Sequence, residues 1–131
     1  MILVDSSVWI DLFNGVDNRG VLVVRENVGL GTLLVGDLML AEVRLGFGSE
    51  REAALATEAL KAFKRVAIVD AQIAKLAAAN YRRLRRQGIT IRKTIDLLIA
   101  TRCIDKGWLL LHNDRDFEPL REHLGLRTVG H

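Results

Sequence analysis

Cysteine and proline are almost absent from this chain of 131 residues, and each scarcity excludes a class of protein. The lone Cys103 cannot form an intrachain disulfide, and it excludes zinc motifs that need two cysteines. With Pro119 as the only proline and no serine- and glycine-rich tract, the sequence shows no sign of a linker or a disordered tail. Half of the residues are apolar, so we expect one domain over residues 1–131 with a well-formed core.

Long apolar runs are missing as well. No uncharged apolar stretch reaches the length that is needed to cross a membrane. The first residues contain no basic segment, and Asp5 interrupts the apolar run at residues 2–4, which is unlike a signal peptide. We therefore predict a cytoplasmic protein that does not contact a membrane.

Positive charge is unevenly distributed along the chain. The net charge is +3, yet residues 61–93 contain ten Lys and Arg residues and a single acid, Asp70, while the remainder carries 9 basic and 15 acidic side chains. A basic segment beside an acidic remainder suits a protein that binds a polyanion and also collects a metal ion. An ordinary solvated helix face would explain the basic segment equally well, so both interpretations stay open.

Strand and helix patterns alternate along the sequence. Short apolar runs predict strands at residues 2–4, 32–35, 66–69 and 108–111, with a weaker fifth run at 127–129. Helical patterns lie between them, including residues 50–64 and 94–106, with predicted N-caps at Ser6 or Ser7, Asp37, Asp70 and Thr94. This alternation indicates an α/β fold with a parallel sheet that is covered by helices on both faces. Ligands bind such sheets beyond the carboxyl ends of the strands.

Four acidic residues fall where a parallel sheet would gather them at that edge. Asp5 ends the first strand, and Asp114 follows the fourth strand closely. Glu42 and Asp96 lie near the starts of apolar helices that should begin at the same edge. Clustered carboxylates repel each other and resist desolvation, so a fold retains them most readily around a divalent cation. Ligands that are all oxygen suit Mg²⁺ or Mn²⁺ better than zinc, which points to hydrolysis of a phosphodiester.

Each acid also has an ordinary structural explanation. An aspartate after a strand is often a helix N-cap, although Ser6 and Ser7 could already fill that role after Asp5. Glu42 and Asp96 are expected on apolar stretches that face the core. Desolvation of an unpaired carboxylate there would cost several kcal/mol, which favours a role as metal ligands. The spacing of Asp114 and Asp116 leaves open which of the two is the fourth acid. His112 is expected to be at the surface or partly buried rather than catalytic.

Four segments of the chain resemble the PIN-domain nucleases, in particular the VapC-type toxins of bacterial toxin–antitoxin pairs. They are the N-terminal Met-Ile-Leu-Val-Asp-Ser-Ser-Val-Trp-Ile, Glu42 in Leu-Ala-Glu-Val, Asp96 in Thr-Ile-Asp-Leu-Leu-Ile-Ala, and Asp114 in Asp-Arg-Asp-Phe. Each segment is weak alone, but their order and spacing together are specific and extend over the whole chain. The resemblance implies a three-layer α/β/α PIN-like fold with a central parallel sheet of four to five strands.

The resemblance also implies a function. The implied function is that of an endoribonuclease that acts on structured RNA such as tRNA. The resemblance implies that cleavage depends on Mg²⁺, with Mn²⁺ as a substitute. It also implies a homodimer that is inhibited by a VapB-type antitoxin. The implied catalytic residues are Asp5, Glu42, Asp96 and Asp114. Of these, Asp5, Asp96 and Asp114 are the expected metal ligands, and Ser6 and Asp116 are expected to support the site.

Two further expectations concern macromolecular partners. The basic segment offers candidates for contacts with the RNA backbone, namely Arg82, Arg83, Arg85, Arg86, Arg92 and Lys93. An antitoxin tail is expected to pack on the early helices around Trp9, Leu12 and Phe13. Two alternatives remain, a housekeeping PIN nuclease that processes RNA and a non-catalytic PIN-like module that binds RNA or a protein partner.

Overall fold

A parallel β-sheet forms the centre of the structure. The computed structural model describes residues 1–130, and within them the sheet has four strands in the order β3–β2–β1–β4. The strands are β1 (Ile2–Val4), β2 (Leu33–Gly36), β3 (Lys64–Val66) and β4 (Leu109–Leu111). All three neighbouring pairs are parallel. The residues of β1, β2 and β4 are almost all apolar and buried, as expected for strands covered on both faces.

Seven α-helices flank the sheet within residues 1–130, and a 3₁₀ turn (Arg115–Phe117) precedes the last of them. They are α1 (Ser6–Phe13), α2 (Arg19–Asn27), α3 (Asp37–Leu45), α4 (Glu50–Leu60), α5 (Ala71–Arg86), α6 (Thr94–Lys106) and α7 (Glu118–Leu124). Trp9 is fully buried and packs against the Phe63 ring at a centroid distance of 4.9 Å. No helix among these residues is both long and apolar enough to span a membrane.

The carboxyl ends of β1 and β4 meet beside the starts of three helices. Asp5 follows β1 directly, and its backbone N–H donates to the Leu111 carbonyl at 2.9 Å, which ties the end of β1 to the end of β4. Helix α3 begins directly after β2 and contacts α1, while α6 contacts both β4 and the 3₁₀ turn. The residues at these starts and ends are therefore brought to one edge of the sheet.

Several predicted boundaries are wrong. Strand β3 lies at Lys64–Val66 rather than 66–69, because Lys64, Arg65 and Val66 are the residues that pair with β2. Helix α4 ends at Leu60 rather than at residue 64, since the chain must leave it to enter β3. The predicted fifth strand at 127–129 is reduced to one isolated parallel bridge between Leu110 and Thr128.

The helix caps correct the predictions at three positions and confirm them at one. Asp5, not Ser6 or Ser7, is the N-cap of α1. Gly36 rather than Asp37 precedes α3, because the Asp37 side chain instead accepts hydrogen bonds from the N–H groups of Leu38 and Ile68. Lys93 rather than Thr94 caps α6, without a side-chain cap bond. Asp70 caps α5 as predicted, accepting from the Ile73 N–H at 2.8 Å.

Candidate active site

The four predicted acids occupy one region at the carboxyl edge of the sheet. Asp5 and Asp96 are only 4% and 5% exposed, while Glu42 and Asp114 are partly buried. They are close enough for their charges to interact: those of Asp5, Asp114 and Glu42 all raise the pKa of Asp96. The site therefore draws on the end of β1, the second turn of α3, the first turn of α6 and the loop after β4.

The tightest group of acids differs from the predicted metal ligands. Among residues 1–130, the three acids that offer carboxylate oxygens all within 4.8 Å of one another are Asp96, Asp114 and Asp116. Asp116, expected only as a supporting residue, thus belongs to this group, whereas Asp5 lies outside it among the described residues. Asp5 remains an electrostatic neighbour, since its charge raises the pKa of both Glu42 and Asp96.

Asp5 has a structural role and a place in the site at once. As N-cap of α1, its Oδ2 atom accepts hydrogen bonds from the Ser7 N–H at 3.1 Å and from the Ser7 hydroxyl at 2.6 Å. Burial raises the pKa of Asp5, and the hydrogen bonds from Ser7 oppose that effect. The helix start therefore favours the charged form of Asp5, although its surroundings are almost closed to water.

Glu42 and Asp96 each present a buried oxygen that lacks a protein partner. Glu42 Oε1 and Asp96 Oδ2 are inaccessible to solvent, and neither has a hydrogen-bond partner within residues 1–130. Burial and then the charge of Asp5 raise the pKa of Glu42, although a hydrogen bond from the buried Ser6 side chain counteracts the shift. The same two causes raise the pKa of Asp96 to about 7. Since native proteins seldom leave buried carboxylate oxygens without partners, these two atoms are suited to a cation.

The loop after β4 is fixed by contacts that the sequence did not predict. The Asn113 backbone N–H donates to Ser7 Oγ at 3.0 Å, and its side-chain amide donates to Asp11 Oδ2 at 2.8 Å. A Cβ atom at Gly20 would come within 2.6 Å of Asn113 Oδ1, so the glycine allows the close approach of α2. These contacts hold the residue just before Asp114. No periodicity or motif predicts these contacts of Asn113 with Ser7 and Asp11, because the partners are about one hundred residues apart in sequence.

His112 is buried, at 3% exposure, so the expectation of a surface or partly buried residue is wrong. Its ring packs against Phe117 at a centroid distance of 5.0 Å, and its Nδ1 accepts a hydrogen bond from the Asp114 N–H at 3.2 Å. Partial burial favours the neutral form of Asp114. Hydrogen bonds from the Asp116 N–H and from Lys93 nevertheless outweigh burial and lower the pKa of Asp114.

The structure divides the predicted RNA-binding residues into three groups. Lys93 reaches into the acidic cluster, and Arg92 lines a small cavity of about 130 Å³ next to it, together with Asp96 and Asp116. Arg82 lines a larger, mostly apolar cavity between α5 and α6. Arg83, Arg85 and Arg86 are exposed in the last turn of α5, where positive charge also complements the helix dipole.

Comparison with known proteins places the chain in a family. A family model, the PIN domain, matches residues 2–122. A curated protein of Mycobacterium tuberculosis named Ribonuclease VapC11 is 27% identical over 131 residues, which are 98% of each chain.

Solved structures share the fold at lower identity. VapBC2 from Rickettsia felis, bound to a DNA fragment from its promoter, has a TM-score of 0.78 and 17% identity over 98% of this chain and 97% of that chain. VapC20 of Mycobacterium tuberculosis, a toxin that cleaves the sarcin–ricin loop, has a TM-score of 0.66 and 18% identity over 90% of this chain and 93% of that chain. Because the family model extends over nearly the whole chain and the sheet agrees with these structures, the chain belongs to the PIN domain family.

Proposed function

We propose that this protein is an endoribonuclease, the toxin of a VapBC-type toxin–antitoxin pair, and that it requires Mg²⁺. The observation that carries the proposal is the pair of buried, unpartnered carboxylate oxygens on Glu42 and Asp96 beside three further acids. Membership of the PIN domain family and the similarity to Ribonuclease VapC11 support the reaction type.

The acidic residues fit a divalent cation. Asp96, Asp114 and Asp116 would hold it, with Asp5 and Glu42 close enough to add ligands or negative charge. The donor set is all oxygen, which matches Mg²⁺ or Mn²⁺. Such an ion, when bound, would supply positive charge against a phosphodiester and increase the acidity of water. Burial, and after it repulsion between like charges, raises the pKa values of Asp5, Glu42 and Asp96 when no cation is bound.

The surrounding residues would orient these acids. The Ser7 hydroxyl donates a hydrogen bond to Asp5 at 2.6 Å, and the Ser6 side chain favours the charged form of Glu42. Asn113, held by Ser7 and Asp11, keeps the loop that carries Asp114 against α1. Preorganised ligands of this kind lose little freedom when a cation and a substrate bind, so the arrangement favours catalysis over loose ion binding.

The proposed partners are RNA, a VapB-type antitoxin and a second copy of the chain. Solved neighbours include the VapBC complex from Salmonella typhimurium, which has a TM-score of 0.74. Trp9 is fully buried, so the expected antitoxin contact at this residue is wrong. A cavity of about 490 Å³ between α1 and α4, lined by Phe13, Phe47 and Leu55, is a better place for apolar antitoxin residues.

The homodimer is proposed to use a different surface. We propose that the two copies meet at the apolar cavity of about 620 Å³ between α5 and α6.

A cleavage assay tests the metal requirement. We expect end-labelled structured RNA to be cut in Mg²⁺ and the rate to fall at least about a hundredfold in excess chelator, because positive charge at the phosphate contributes several kcal/mol to such reactions. Added Mg²⁺ or Mn²⁺ should restore cleavage. Cleavage that persists in chelator would contradict the proposed metal. A non-catalytic binding module would give no cleavage under any of these conditions.

Salt dependence tests the proposed RNA contacts. In an Asp96→Asn background, which should bind RNA without cutting it, neutralising Arg85, Arg86 and Arg92 to Gln should weaken binding. The magnitude of the log–log salt slope should fall by about 0.7–0.9 for each phosphate contact that is lost. The matched control neutralises Arg51 and Lys61, exposed cations on and just after α4. A slope that changes equally for each removed charge in both variants would assign Arg85, Arg86 and Arg92 to an ordinary solvated surface.

A further inference from the structure

Lys93 is an exposed residue whose ammonium group reaches the acidic cluster. Its Nζ atom is 3.1 Å from Asp114 Oδ2 and 3.1 Å from Asp116 Oδ2, so one ammonium group bridges two of the clustered carboxylates. Hydrogen bonds to Asp116 and then to Asp114 raise the pKa of Lys93. Burial and the charge of Asp5 raise the pKa values of Asp96 and Glu42, and the positive charge of Lys93 opposes that rise at both residues.

Lys93 differs in this respect from the other cations nearby. Arg92 and Arg115 line the same small cavity, but within residues 1–130 neither forms an ion pair with an acid. Position explains the difference, because Lys93 is the N-cap of α6 and lies one turn before Asp96 on the same chain segment. A lysine has a compact charge on a flexible stem, and more than half of this side chain is exposed, at 54%, so it can leave the cluster without disturbing the fold.

We propose that Lys93 is the resident counter-ion of the cluster, a positioning residue that holds Asp114 and Asp116 together and competes with a divalent cation for their oxygens. The inference rests on the proposed function, since it assumes that the cluster binds such a cation. An ammonium group and a divalent ion close to the same pair of oxygens repel each other, because both are positively charged. Lys93 therefore opposes binding of the ion, whether it stays beside the acids or moves away, and this opposition weakens the affinity for the ion.

Metal-binding calorimetry tests the competition directly. Replacing Lys93 by Met removes the competing charge and keeps a similar length, so Lys93→Met should bind Mn²⁺ about tenfold more tightly than the wild type, which corresponds to about 1.4 kcal/mol. Lys93→Arg keeps the charge and should bind Mn²⁺ with nearly wild-type affinity. Lys106→Met, at the opposite end of α6, is the matched control and should not change the affinity.

Thermal unfolding provides a second measurement that does not depend on RNA cleavage. Without metal, Lys93→Met should unfold at a lower temperature than the wild type, because the acids lose their counter-ion, and Mn²⁺ should stabilise it by more than it stabilises the wild type. Lys93→Gln, which removes the same charge but keeps a polar side chain, should show the same changes in unfolding temperature as Lys93→Met.

Two outcomes separate this inference from the proposed function. Equal Mn²⁺ affinities in the wild type and Lys93→Met, with RNA cleavage still dependent on metal, would overturn the competition and leave the nuclease proposal standing. Absence of Mn²⁺ binding in both proteins, with cleavage that needs no metal, would overturn both.

Discussion

Asp96→Asn should abolish RNA cleavage while it leaves the fold intact and stabilises the metal-free protein. Among residues 1–130, Asp96 is the one acid that combines near-complete burial, an unpartnered oxygen and a place in the group of three clustered carboxylates. An asparagine has almost the same shape but no charge for a divalent cation, so the loss should be about a thousandfold or more. Stability should change in the opposite direction, because the substitution removes a charge that burial and neighbouring acids destabilise.

The pH dependence of stability shows why Asp96→Asn should stabilise the metal-free protein. Burial and the charge of Asp5 raise the pKa of Asp96 from 3.8 to about 7, so the folded protein retains a proton that the unfolded chain releases. The metal-free wild type therefore loses stability from this group as the pH rises from about 4 to about 7, and the loss levels off above that range. Asparagine does not titrate, so the free energy of unfolding of Asp96→Asn at pH 7.5 should exceed that of the wild type by about 1–2 kcal/mol.

Cleavage rates in Mg²⁺ and denaturant unfolding in chelator at several pH values measure both effects. Asp17→Asn is a suitable control, since Asp17 is highly exposed and far in sequence from the acidic cluster. A variant that cuts RNA at the wild-type rate would refute the proposed site. A variant that is less stable than the wild type at pH 7.5 would instead show that the charged Asp96 is well stabilised without metal.

Expression of the wild-type protein alone should arrest growth, whereas expression of Asp5→Asn alone should be tolerated. An unrestrained ribonuclease damages essential RNA, and Asp5 is a buried residue whose charge acts on Glu42, Asp96 and Asp114. Asparagine is as good an N-cap as aspartate, so α1 should still begin at Ser6 and the protein should accumulate normally. Co-expression with the cognate antitoxin should restore growth, since an antitoxin side chain such as arginine could pair with the clustered carboxylates.

The comparison requires three strains at equal protein levels, checked by immunoblotting. Colony counts after induction should fall by several orders of magnitude for the wild type alone and remain unchanged in the other two strains. Asp11→Asn would be a poor control because Asp11 holds Asn113, so Asp17→Asn serves again as an exposed neutral substitution that should remain toxic. Equal growth of all strains would favour a housekeeping nuclease or a binding module.

Local signals in the sequence predicted the helices more closely than the strands. The predicted helix at residues 94–106 has the same bounds as α6, although its N-cap is Lys93 rather than Thr94, and at its C-terminal end Gly107 adopts a left-handed conformation that ends the helix. Strand β3 was misplaced because the apolar run near residue 68 does not show which residues face β2. That register depends on long-range pairing, and the strand itself contains two exposed basic residues, Lys64 and Arg65.

For the site, too, local sequence signals predicted which acids would gather but not the contacts between their side chains. The positions of Asp5, Glu42, Asp96 and Asp114 at the ends of elements were enough to predict that they would gather, because chain direction in a parallel sheet fixes which edge they share. The direction of each side chain could not be predicted. The sequence therefore gave no indication that Lys93 would enter the cluster with Asp116, or that His112 would be buried against Phe117.

The pairing of β1 with β4 has a consequence for biosynthesis. Ile2, Leu3 and Val4 bond in register with Leu109, Leu110 and Leu111, so the first strand finds one of its two neighbours only after more than one hundred further residues have been made. A nascent chain on the ribosome cannot bring Asp5 and Asp114 together before this late partner has emerged, although earlier helices can already form. RNA cleavage at the proposed site would therefore begin only after β4 has been made, which leaves time for an inhibitor to be present when the acids come together.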